Sequence, residues 1–257
     1  MDGDRHYSLR AEGAQGAVAK ADQIDAAIAA YQRALAQSPN DIEAHWKLLR
    51  AYRFKGAYVA TTLDQKKQVY GIAKNAGQQA LAVVNARLKV TAKSTEKQVA
   101  EAARAVPGAG EVYLWDAINW GEWAVAYGKM AAARQGAADQ IRRGATIAHL
   151  IDPRMDAGSP SRVLGRLHDQ TPSIPFITGW ASSKEALRFL NESMKIDPKN
   201  KITLVFLAEA MFSADSGKKA QAVALLRDAI NSPSHPDFVV EDAGAIADAN
   251  ALLKKWK

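Results

Sequence analysis

Apolar residues return every three or four positions along almost the whole chain, and no stretch alternates apolar and polar residues in the β-branched manner of a strand. The pattern predicts an all-α protein. Prolines and glycines interrupt it at Ser38-Pro39-Asn40, Val106-Pro107-Gly108, Asp152-Pro153, the stretch Thr171 to Ser183, Asp197-Pro198, Ser216-Gly217 and Ser232-Pro233. These breaks divide the chain into about ten to twelve helices of ordinary length.

Within the helices a spacing repeats. Ala27, Tyr31, Ala34 and Pro39 stand at the offsets small, large, small and terminating proline that mark the second helix of a tetratricopeptide (TPR) hairpin. Ala44, Leu48, Leu49, Tyr52 and Gly56 follow a first-helix pattern, with His45 where such repeats often carry Trp. The pattern returns at Ala186, Leu190, Ser193 and Pro198, then at Leu204, Leu207, Ala208 and Met211, and again at Ala220, Ala222, Leu226 and Ala229. Weaker copies run from Leu63 to Leu88 and from Gly136 to Asp152, where Ala145, Ala148 and Pro153 keep the offsets. Small residues let neighbouring helices approach, and at least three such pairs must stack to cover their apolar faces, which creates a concave surface suited to binding. The expected architecture is one TPR-like domain over residues 1–257 in a compact, modified α-solenoid. It comprises a partly ordered segment at 1–20, helical pairs at 24–105, an aromatic helix and further pairs at 111–231, and a last helix at 240–257. Two stretches depart from a simple array: a long helical run from Gln65 to Ala105 and the loop from Thr171 to Ser183.

The run EVYLWDAINWGEWAVAYGKMAAA, from Glu111 to Ala133, holds three of the six Trp and two of the seven Tyr. Tyr113, Trp120 and Tyr127 recur at seven-residue intervals on one face, while Trp115, Ile118, Glu122, Trp123 and Met130 point to another. A helix apolar on most sides is enclosed on most sides. It is either a central core helix or the wall of a channel or ligand cavity, with Asp116, Asn119 and Glu122 as its polar groups.

Composition narrows the chemistry. The net charge of +7 is spread thinly, its densest runs being Lys66-Lys67, Arg142-Arg143, Lys218-Lys219 and Lys254-Lys255-Trp256-Lys257. None is an Arg-rich arm or a nucleic-acid fold signature, so no nucleic-acid partner is expected. There is no cysteine, hence no disulfide framework and no thiolate metal site. The five His never fall at His-x-x-x-His or His-Glu-x-x-His spacing, and no metal or other cofactor is expected. No run reaches the roughly 18 apolar residues of a spanning helix, and Met1 to His6 lacks the apolar region of a secretory signal. The segment GAGEV from Gly108 follows no strand and reads as a turn rather than a nucleotide loop. Ser159 and Ser161 lack a nucleophile elbow, and no catalytic residue is assigned. The closest approach to a polar constellation is Arg162, Arg166 and His168 with Asp169, where residues 162, 166 and 169 would share a helical face. Such a group would contact an anionic ligand or partner, or simply end a helix.

From Glu111 to Asp228 the order of features resembles the T component of TPR-associated TRAP transporters. The motifs that carry the resemblance are LWDAINWGEWA, GSPSRVLGRLHDQTPSIPF and SSKEALRFLNESMKIDPKNKITLVFLAEAMF with its following helix. The resemblance implies a periplasmic, lipid-anchored protein with a central pore that pairs with a solute-binding protein feeding a TRAP permease and can form trimers. The signal and the lipid-bearing cysteine would then precede Asp2, with Met1 a start introduced in their place, and the only membrane contact would be through that anchor. In this reading Trp115, Asn119, Trp120, Trp123 and Tyr127 line a path for a small organic ligand. The alternative is a general TPR adaptor, cytoplasmic in location, that grips a peptide or an acidic protein tail in its basic groove. An enzyme using the turn from Arg162 to Asp169 is the third reading.

Overall fold

The computed structural model describes residues 2–257 and is all-α, with thirteen α-helices and no strand among the described residues. Its contacts sort into two compact units, Met1–Asp152 and Pro153–Lys257. The boundary falls at Asp152-Pro153, one of the sequence breaks.

The first unit holds α1 (Asp2–Ser8), α2 (Ala21–Gln37), α3 (Ile42–Phe54), α4 (Leu63–Leu88), α5 (Glu96–Ala103), α6 (Ala109–Tyr127), α7 (Lys129–Arg134) and α8 (Ala137–Ile151). Helices α2 and α3 form the first hairpin, and Ala27, Tyr31, Ala44 and Leu49, at the repeat offsets, are fully buried. His45, in the position often held by Trp, donates from Nε2 to the Pro39 carbonyl at 2.9 Å and so closes the turn between the two helices. Asp41 caps α3 by accepting from the Ala44 N–H at 3.1 Å. Within residues 2–20, Asp4 accepts from Tyr31 at 2.9 Å and pairs with Lys47 at 2.8 Å, and the Ala19 N–H donates to the Tyr58 carbonyl at 2.8 Å.

The long helical run expected from Gln65 to Ala105 is two helices. Lys89 turns left-handed at φ 55° after Leu88, and Thr95 opens α5 with a capping box that it shares with Gln98. A capping box satisfies the free N–H groups of a new helix, so it favours a break that apolar periodicity alone does not reveal. The aromatic helix is likewise shorter than its sequence pattern. It ends at Tyr127, where Gly128 adopts φ 88°, and α7 carries Met130. The short helices α1, α5 and α7 raise the count above that read from the breaks.

The second unit holds α9 (Met155–Gln170), α10 (Ser183–Ile196), α11 (Lys201–Ala214), α12 (Lys219–Asn231) and α13 (Val239–Lys255). Consecutive helices pack on one another, and α11 also lies beside both α9 and α13, so that α9, α11 and α13 form one layer. Repeat positions Ala186, Leu190, Leu207, Ala208, Ala222, Leu226 and Ala229 make its core. The repeat positions read from the spacing are thus buried between consecutive packed helices, an all-α helical-repeat arrangement. Ser182 and Asn200 cap α10 and α11. Buried Lys201 donates from Nζ to the Ala229 and Ser232 carbonyls at 2.8 and 2.6 Å, placing a cation on the carboxyl end of α12. Residues 171–182 form the loop expected between α9 and α10.

Candidate functional site

Two groups of residues drew attention in the sequence, one in each unit. On α6 the helix packs against α3, α4 and α8, and this packing buries most of its circumference. Asn119 is wholly buried; its Nδ2 donates to the carbonyls of Leu49 on α3, at 3.0 Å, and of Trp115, at 2.9 Å. Trp120 and Trp123 are each only 5% exposed and meet edge to face at 5.5 Å, while Trp123 stacks on Tyr127 at 4.7 Å. Tyr127 is the open end of the series at 40% exposure, with its hydroxyl donating to the Lys67 carbonyl at 3.2 Å. Trp115 is half-buried beside the cluster that includes Tyr113 and Ile147. The structure thus brings Trp120, Trp123 and Tyr127 together and turns Asn119 inward to hold α3.

A cation not read from the sequence completes this cluster. Lys74 of α4 places its Nζ 4.7 Å from the Trp120 ring centroid and 4.4 Å from that of Trp123, and donates to Gln135 at 3.2 Å. The two indole faces attract that ammonium. No spacing on α6 announces it, because the partner lies about forty-five positions away on another helix.

The polar groups of α6 are spent in different ways. Glu122 pairs with Arg53 of α3 at 3.3 Å, and Arg53 donates to the Tyr58 hydroxyl at 3.0 Å. Asp116 has no such partner. It is 2% exposed, its Oδ1 lacks a hydrogen bond, and the oxygen points at Gly77 of α4, where an added Cβ would stand 2.0 Å from it. Burial alone pushes its carboxyl up to about 7.

In the second unit, Arg162, Arg166 and His168 go to three different environments. Arg162 is buried and points back at the start of α9, where Asp156, Ala157 and Gly158 take φ of 45°, 55° and 79° in succession. Such a left-handed run costs roughly 1–3 kcal/mol per non-glycine residue and needs fixing. Arg162 fixes it by donating to the Ala157 carbonyl at 3.2 Å and the Ser159 hydroxyl at 3.0 Å, and it reaches Thr203 of α11 at 3.3 Å. Its carboxylate partner is Asp156 at 3.7 Å. Pro160 then falls in the first regular turn, where its fixed φ suits a helix start.

Arg166 faces α11. It donates to Glu209 at 2.6 Å and to Asp169 at 3.3 Å, with its guanidinium 4.4 Å from the Phe206 ring centroid. Arg166 and Asp169 therefore share a face as their spacing implies, and Glu209 joins them. Burial raises the Asp169 carboxyl, against the opposing pull of its Gln170 hydrogen bond and of Arg166. His168 lies elsewhere: its Nδ1 accepts from the Ser182 N–H at 3.3 Å, and its ring packs against Trp180 and Phe189 at 5.2 and 5.8 Å. It anchors the far end of the loop 171–182. Each of the three side chains is engaged in holding the fold, and they do not converge on a common point.

No group of three His, Asp or Glu among the described residues could hold a metal ion, and no helix is long and apolar enough to cross a membrane. No protein-family model matches the chain, and no curated protein matches it.

Proposed function

We propose that this chain is a non-catalytic, protein-binding subunit, and that its partner is the periplasmic solute-binding protein of a TRAP-type uptake system. The observation that carries the binding role is the stacking of consecutive helices on fully buried small residues, Ala186, Ala208, Ala222 and Ala229, the construction of a helical-repeat binding protein. The ionisable groups that would serve catalysis, Arg162, Arg166 and His168, are instead occupied in pinning a turn, bridging two helices and anchoring a loop.

The transport assignment rests on the motif resemblance. In LWDAINWGEWA the residues make a tightly packed helix, and in GSPSRV the Gly-Ser-Pro-Ser-Arg order is what the left-handed turn and its arginine require. If ligand passes along α6, Trp115 and Tyr127 are the members of the aromatic series with surface to meet it. A lipid-anchored periplasmic location and trimer formation belong to the same proposal.

The test is capture of partners from the source organism on immobilised full-length chain, with identification by mass spectrometry. Co-elution of a periplasmic solute-binding protein is the expected result. Recovery of cytosolic proteins alone would sink the transport reading and favour a general adaptor.

A further inference from the structure

The second unit carries a groove at which two of the basic runs of the sequence, Lys218-Lys219 and Lys254 to Lys257, come together. A cavity of about 490 Å³ opens between the end of α11, the start of α12 and the end of α13. Its floor is aromatic: Phe212 lies against Trp256 with ring centroids 4.5 Å apart. Its rim is cationic, formed by Lys219, Lys255 and Lys257, which are exposed and have no ion pair or hydrogen bond among the described residues. The single acidic side chain in the lining, Glu209, is paired at 2.6 Å with Arg166, which it shares with Asp169.

From this charge pattern we infer that the groove is a docking site for an acidic, extended segment of a partner protein that carries one large apolar side chain. Three unpaired ammonium groups around an apolar floor complement carboxylates flanking an apolar anchor, and lysines without internal partners lose no intramolecular pairing when they engage a ligand. The apolar floor offers burial to one large side chain, and the lysines of the rim stand around it where flanking carboxylates would lie. The inference rests on the proposal that the chain binds a protein, and it supplies the chemistry of the segment bound.

The probe is a fluorescein-labelled, acetylated decapeptide of Asp and Glu with one central Phe, titrated into the full chain and followed by anisotropy at low and physiological salt. We expect saturable binding that weakens with salt, weakens again when the Phe is replaced by Ala, and falls by about tenfold in the double variant K219E/K255E. Both lysines are exposed, so that variant should keep the wild-type circular dichroism. Equal binding of a Lys-based decapeptide, or undiminished binding by K219E/K255E, overturns the inference. So does tighter binding of poly-uridine than of the peptide, which would make the rim a nucleic-acid contact. Using K219E/K255E as bait separates the two proposals. A solute-binding protein retained at wild-type yield removes the groove from the docking surface and leaves the transport reading standing. Peptide binding to a chain that captures no such protein supports the groove and removes the transport reading.

Discussion

At the residue scale the most informative side chain is Asp116, a buried carboxyl that faces a glycine and has no hydrogen bond to its Oδ1. Its pKa is raised in the folded protein to about 7, against 3.8 for the free side chain. The unfolded chain therefore releases this proton as pH rises through about 4, while the folded chain keeps it until about 7. Between those values the folded state binds more protons than the unfolded, so Asp116 lowers stability progressively as pH rises, and the loss is complete above about 7. Asp116→Asn keeps the shape without the titration. The variant is expected to unfold at higher denaturant concentration than the wild type at pH 8, by on the order of 3 kcal/mol, and to match it near pH 4. Denaturant titrations across that range check it; equal midpoints at pH 8 would mean that the carboxyl is not buried as described. Gly77→Ala acts on the same contact from α4. Its methyl has no room beside the carboxyl, and a loss of roughly 2–3 kcal/mol is expected, which Asp116→Ala in the same chain should partly restore.

At the element scale, Arg162 decides whether α9 begins where it does. Arg162→Ala removes the donors that hold the Ala157 carbonyl, Ser159 and Thr203, and should cost roughly 2–4 kcal/mol in thermal or chemical unfolding. Arg162→Lys keeps the charge but not the planar fork, so an intermediate loss is expected. A Lys variant as stable as the wild type would show that charge alone matters there. This arginine also illustrates what the sequence made legible. Hairpin positions such as Ala27, Tyr31, Ala186 and Leu190 were readable because burial on one helical face leaves a spacing of three or four. The break between α4 and α5 was not read, since Lys89 to Ser94 holds no Pro or Gly and the Thr95 and Gln98 pair marks the new start. The face shared by Arg166 and Asp169 was legible from their separation of three, but Glu209 was not, being forty-three residues from Arg166. The approach of Lys74 to Trp120 and Trp123 and the contact of Phe212 with Trp256 were not legible for the same reason. Contacts between helices distant in sequence leave no period.

At the scale of the whole molecule, the division at Asp152-Pro153 has a thermodynamic consequence. Each unit has a core of its own: Leu49, Val84, Val112 and Ile147 in the first, Leu190, Leu207, Leu226 and Ala249 in the second. Folding cooperativity follows shared buried surface, and a unit that closes its own core can fold without its neighbour. The second unit also contains helix-end bonds of its own, Arg162 at the start of α9 and Lys201 at the carboxyl end of α12. A fragment spanning residues 153–257 is therefore expected to show the circular dichroism of a helical protein and a single cooperative urea transition. The groove lined by Phe212, Lys219 and Trp256 lies wholly within it, so the same fragment should bind the acidic decapeptide with the affinity of the full chain. A fragment that stays unfolded would show that the core of the second unit is insufficient alone. A folded fragment with weakened peptide binding would place part of the docking surface among residues 1–152.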